Sequence, residues 1–576
     1  MRVGLFTQIR FLQKRMKQVL ETLMKTPCRS EPIMPETRQA FPQIQFLQRY
    51  HPGIDAFPIG TDRKSAAFPT QYQIKDWLSV DPSDTRFRTV RLSDGSDTRI
   101  FIKTVHLLDP IAMLQKEYTM PDHPLLPLGD QSWKKTLLKL HGQSNQAYVD
   151  AVASYILGRF RELDLTPHAT LAYGSMTGIA NQYRFKITDE YQSYRQCRWF
   201  WKGLQTSDAK LEVEQDNQTI LEDPQYTEII KNIFTCPFDQ FDDAASTHTE
   251  ELALDHVSVQ DDQTSLRSFD FEAEEGSAEE SAEESSEESS EESTIKSTDE
   301  SDEPMFDVKI NMKNMPVIMI CQEAQEGTLD DLMDEEDLCG YARDSAGWDQ
   351  MWLAWLFQVI ASLSFLQKHI SFTHNDLHTN NIVWRSTTAT HLYYKAGDGM
   401  TFAVPTYGKI FSLIDFGRAI FKIKDQLWIS DDHWPDHDAG GQYNFGPFYS
   451  PTEPKISPNP SFDLCRLAIS MLEGLYDEHP AKKKGSNSVL SQEGSWKVYE
   501  TVSPLFNLLW SWTLNDDGET LFEDRHGEEK YPGFDLYVKI AHTVHDAVPK
   551  EQVRRPVFEA FRLKGKLPKD THVYAI

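Results

Sequence analysis

The 576-residue chain has no long uninterrupted apolar run, no C-x-x-C pair and no basic excess. Each absence excludes something. The least charged run, residues 351–367, contains Gln358, Ser362 and Ser364 and is bounded by Asp349 and Lys368. A membrane-spanning helix needs about 20 apolar residues, so this run reads as a buried helix and no span is expected. Six cysteines (Cys28, Cys197, Cys236, Cys321, Cys339, Cys465) are scattered. That excludes a zinc ribbon or disulfide framework and suits a reducing, intracellular compartment such as the cytoplasm. Residues 1–25 have no apolar core of the secretory kind, so no signal peptide is expected. Nucleic-acid binding favours a basic footprint, and a net charge of -30 gives none.

What is present fits a folded enzyme, with 39% hydrophobic and 11% aromatic residues. The acidity is local. Residues 239–303 hold 24 acidic and 2 basic side chains, which leaves about -8 for the rest. Residues 205–305 are polar and end in a near repeat of Glu-Glu-Ser from Glu274 to Ser293. Such a segment buries too little apolar surface to offset its chain entropy and is expected to be disordered. It reads first as a solvated spacer. Ser277, Ser281, Ser285, Ser286 and Ser289 also precede acidic residues, a context for phosphorylation or for binding basic partners.

Two stretches carry chemistry. His374-Asn375-Asp376-Leu377-His378-Thr379-Asn380-Asn381 reads H-x-D-x-x-x-x-N between Phe372 and Ile382, and Leu413-Ile414 runs into Asp415-Phe416-Gly417. Phosphoryl transfer asks a protein mainly to position groups and to neutralise charge. One carboxylate beside an acceptor hydroxyl and two oxygen ligands for magnesium suffice, since magnesium keeps several waters. The pattern resembles the catalytic and metal-binding loops of the protein-kinase-like phosphotransferases. The resemblance covers about residues 72–562 without the acidic insert. The H-N-D-L-H-T-N-N-I motif and the insert are similar to serine/threonine kinases of large nucleocytoplasmic DNA viruses. A viral chain would act in host cytoplasm or virion.

The resemblance implies an α+β, two-lobed fold with a small β-rich N-lobe and a large, mainly helical C-lobe. Residues 1–71 would be an extension, 72–204 the first part of the N-lobe and 205–305 the insert. Residues 306–326 would be the last strand and hinge, and 327–576 the C-lobe. It implies ATP and Mg2+ as cofactors, a protein substrate, Asp376 as the base, and Asn381 and Asp415 as metal ligands. Lys103, in Arg99-Ile100-Phe101-Ile102-Lys103, would steady the ATP phosphates. Asp150, or alternatively Glu162, on the helix expected over 144–163 would pair with it. Cys321, Gln322, Glu323 and Ala324 would line the adenine pocket, with Cys321 behind it and backbone groups from Gln322 on gripping the base. Asp463 would hold the catalytic loop, with Ser461 a possible cap before its helix.

Several residues depart from the family. The turn Ser79-Val80-Asp81-Pro82-Ser83-Asp84-Thr85 has no glycine where amides should cover phosphates, leaving the hydroxyls of Ser79, Ser83 or Thr85 as contacts. Asn375 replaces the arginine that pairs with a phosphorylated loop, so loop phosphorylation is not expected to be the switch. His378 is shared with small-molecule kinases of the aminoglycoside and choline type. Three readings therefore stand: a serine/threonine protein kinase, a small-molecule phosphotransferase, and a pseudokinase scaffold. Residues 10–25 have helical spacing with a basic face, either packed on the body or facing a membrane or acidic partner.

Overall fold

In the computed structural model, residues 1–17, 53–65, 119–133, 220–232 and 239–305 lie outside the described residues, with shorter gaps elsewhere. The Glu-Glu-Ser repeat and its serines fall there, as does most of the 10–25 segment. Of the latter, Val19 packs against the larger hydrophobic core.

The fold is mixed α+β. One compact unit comprises residues 1–184 and 311–576, and a second comprises Phe185–Ile310. In the first, six strands form one antiparallel sheet: β1 (Ile44–Gln48), β2 (Ile74–Val80), β3 (Phe87–Leu92), β4 (Asp97–His106), β5 (Ala172–Ala180) and β6 (Met315–Glu323). Their order is β1-β5-β6-β4-β3-β2. Strict alternation in β3 sends Arg88, Val90 and Leu92 to the buried face. The β3–β4 turn has Gly95 at φ 89, as the Asp94-Gly95 pair suggests. Edge strand β1 lies in the expected extension and carries no clear period. Phe46 sits at φ 51 where the register with β5 slips.

Helix α1 (Gln146–Glu162) is capped by Asn145, whose side chain accepts from the Ala147 amide. It buries Val149, Val152, Ile156 and Phe160. Helix α2 (Ala346–Ile370) starts at Ser345, whose hydroxyl accepts from the Trp348 amide, and stops at Ser371 in a left-handed conformation. Trp348, Trp352 and Trp355 lie within the larger core. Among the described residues no helix is long and apolar enough to cross a membrane. Strands β7 (Gly327–Thr328), β8 (Ile382–Ser386) and β9 (Lys409–Leu413) pair in the order β7-β8-β9. Helices α3 (Phe462–Leu475), α4 (Pro504–Trp512) and α5 (Asp535–Thr543) complete this part.

The second unit corrects the expected boundary at residue 205. Helix Arg198–Thr206 runs through that position, and strand Lys210–Gln215 follows it. The sheet there has the order Gln218–Thr219, Lys210–Gln215, Asp307–Met312, Tyr183–Lys186. The alternation of Lys-Leu-Glu-Val-Glu-Gln carries a strand signal that the charge of the following stretch obscures.

Candidate active site

Lys103 is on β4, where alternation places it on the face opposite Ile102. Its ammonium reaches Asp150 on α1 at 2.6 Å and Asp415 after β9 at 2.8 Å. Burial would lower the Lys103 pKa, but the two carboxylates more than reverse it and raise it. Burial would likewise raise Asp415, and the Lys103 ammonium holds it below the usual carboxylate range. Asp150 is the acid of the pair. Glu162, the alternative, turns to Arg159 and to the Gln71 amide.

Asp150 does more than the sequence suggests. Its other oxygen accepts from the Phe416 amide at 3.1 Å and from the Ser154 hydroxyl at 3.3 Å. Gln322 donates to that hydroxyl at 2.7 Å. One network therefore ties β6, α1, β4 and the Asp-Phe-Gly turn together. Phe416 is fully buried against Phe372 and His374. Asp415 has φ 62, in the left-handed region that aspartate adopts more readily than most side chains.

The second loop hangs on Asp463, which is fully buried on α3. Its carboxylate accepts from the His374 amide (3.0 Å to each oxygen) and from the Asn375 amide at 3.0 Å. His374 contacts the Ile414 carbonyl through Nε2 at 2.8 Å. A carbonyl can only accept, so Nε2 carries the proton. The Asn381 amide nitrogen donates to the Asp376 carbonyl at 2.8 Å and to His378 Nε2 at 3.1 Å. His378 therefore acts as a neutral acceptor, and burial keeps its pKa down. These bonds engage the side-chain nitrogen and leave Asn381 Oδ1 as the atom that could meet a cation. Among the described residues no group of three or more His, Cys, Asp or Glu could hold a metal. A magnesium ion carried by phosphates needs fewer, and Asn381 and Asp415 fit it.

Asn375 is also fully buried, at φ 64. Its amide donates to the Arg418 carbonyl at 2.9 Å, and its oxygen accepts from the Tyr443 hydroxyl at 2.7 Å. Neutral groups thus anchor the segment after Asp-Phe-Gly where an arginine would have needed an anion.

Four expectations change. Cys321 lies opposite the Lys103 face, in the smaller core with Ile102 and Met319, rather than behind a pocket beside Lys103. Burial pushes its thiol up to about 12. The amides of Glu323 and Ala324 already donate to the Leu171 and Arg99 carbonyls, so they have no donor left for a base. The Glu323 carboxylate pairs with Arg161. The glycine-free turn is filled by its own acids. Asp81 accepts from the Ser83 amide (3.0 Å) and hydroxyl (2.6 Å), and Asp84 accepts from the Arg86 amide at 2.9 Å. Bonds from Ser83 hold the Asp81 carboxyl down at about 2. Ser83 is therefore not a free phosphate ligand. Lastly, Ser461 stands at the N-cap of α3, but its side chain makes no capping bond.

Sequence reasoning missed Tyr537. From α5 its hydroxyl donates to Asp376 Oδ1 at 2.7 Å, and Arg466 of α3 donates to the same hydroxyl at 3.2 Å. No family model and no curated protein matches the chain.

Proposed function

We propose that the chain is an ATP-dependent protein kinase of the two-lobed, protein-kinase-like class, with β1–β6 and α1 in the smaller lobe and α2–α5 in the larger. One observation carries the reading. Lys103, Asp150 and Asp415 form a bonded cluster, while Asp376 and Asn381 lie on a loop pinned by Asp463. A protein without phosphoryl chemistry has no need for that set of charges, which is costly to bury.

When bound, magnesium-ATP supplies the phosphoryl group and neutralises its charge. Lys103 would steady the phosphates, and Asn381 Oδ1 and Asp415 would hold the cation. Asp376 would orient the acceptor hydroxyl and take its proton as its oxygen bonds to the γ-phosphorus and the bond from that phosphorus to the departing ADP breaks. Serine or threonine as acceptor follows from the resemblance alone. His378, the residue that pointed to small-molecule acceptors, is engaged by Asn381 and gives that reading no further support. The scaffold reading keeps one observation: the amides of Ser83 and Arg86 are bound to carboxylates rather than free for phosphate.

The test uses full-length protein with radiolabelled ATP, magnesium and generic protein substrates. Labelling is expected, with a fall of about 10²–10⁴-fold in Asp376→Asn. No labelling together with no thermal shift from magnesium-ATP would favour the scaffold. An ATP-induced shift without protein labelling would point to small-molecule acceptors. The Asn375 anchor adds a second expectation: phosphatase treatment leaves activity within about twofold, since this neutral anchor carries no phosphate. Activity lost to phosphatase and restored by autophosphorylation would refute it.

A further inference from the structure

We propose that Tyr537 is a positioning residue for Asp376, supplying from α5 the donor that the catalytic loop does not provide. The proposal rests on the protein-kinase reading. A carboxylate that orients a hydroxyl works best with one oxygen fixed and the other open. His378 does not fix it: its Nε2 accepts from Asn381, and among the described residues its Nδ1 makes no bond to Asp376. The Asp376 backbone carbonyl is held by Asn381, but that bond leaves the side chain unplaced.

Tyr537 places it. Arg466 has only donors, so its bond to the Tyr537 oxygen forces the phenol hydrogen toward Asp376 Oδ1. The direction Arg466 to Tyr537 to Asp376 is thereby set, and each bond polarises the next. Burial first, and then the Asp376 charge, raise the Tyr537 pKa, so the phenol keeps its proton. The ring is itself held. It stacks on Phe534 with centroids 5.2 Å apart and tilts against Phe462 at 5.8 Å. Arg466 and Arg418 lie over its faces at 5.5 Å and 5.9 Å. Among the described residues no side chain bonds Asp376 Oδ2, the oxygen left for the acceptor. Tyr537 acts through Asp376 and touches no reacting atom.

The experiment compares full-length wild type, Tyr537→Phe, Asp376→Asn and the double variant in the radiolabelled-ATP assay, with melting temperatures alongside. Tyr537→Phe is expected to lower kcat about 10- to 100-fold, the factor for one hydrogen bond to a charged group. KM for ATP and the magnesium-ATP thermal shift are expected to stay as in wild type. In the Asp376→Asn background the same change is expected to cost nothing further. Should Tyr537→Phe not fold, Arg466→Gln is expected to lower kcat in the same direction by roughly threefold or more. An unchanged or raised kcat overturns the proposal, as does an equal loss in both backgrounds. A wild type that transfers no phosphoryl group overturns the kinase reading and this proposal with it. An active wild type with an inactive Asp376→Asn keeps the kinase reading whatever Tyr537→Phe does.

Discussion

Replacing Asp463 with alanine is expected to cost roughly 3–5 kcal/mol of folding stability, the range for opening a buried charge network. The change removes the acceptor of two buried amides, those of His374 and Asn375. Buried donors left without partners cost their full desolvation. Burial raises the Asp463 pKa, and His374 with the two amides holds it back, so the site tolerates the carboxylate only with all of them in place. Under the proposed reading, phosphoryl transfer is expected to disappear with the loop's geometry. Denaturant melts of the full-length protein read the first effect. A loss under about 1 kcal/mol would mean that the loop stands without α3.

Asp432 gives the second large effect, with the opposite sign. Burial, and then its neighbour Asp431, push the Asp432 carboxyl up from 3.8 to about 7, while Arg418 and Lys139 partly oppose this. Asp438 adds to the rise. Below about pH 4 both the folded and unfolded chains hold the proton. Between about 4 and 7 only the folded chain holds it, so this group's contribution to stability falls as pH rises through that window. Three pKa units correspond to roughly 4 kcal/mol, an upper figure for this residue. Asp432→Asn cannot ionise, so it is expected to be more stable than wild type by roughly 2–4 kcal/mol at pH 8 and about equal near pH 4. A variant less stable at pH 8 would show that the carboxylate earns its place through Arg418, 4.0 Å away.

Much of the candidate site was legible because its spacing is local. His374 to Asn381 and Asp415 to Gly417 are contiguous, and Lys103 shows itself by its place in an alternating strand. The Lys103–Asp150 pair spans 47 residues but follows from one helix and one strand, each readable by period. Tyr537 and Asp376 are 161 residues apart, and Tyr443 and Asn375 are 68 apart. Neither tyrosine sits in a pattern, so only packing brings them in. The Asp81 and Asp84 turns were missed for another reason. The missing glycine was visible, but not that acids would bind the amides themselves. In the fold, β1 lacked a period, and the charge after residue 215 obscured the strand before it.

The Asn375–Tyr443 tie has a consequence in time rather than in space. A fastening built from an amide and a phenol has nothing for a phosphatase to remove and little for salt to screen. Under the proposed reading, such a protein is set as soon as it folds. Adding or removing a phosphate then has no purchase on this tie.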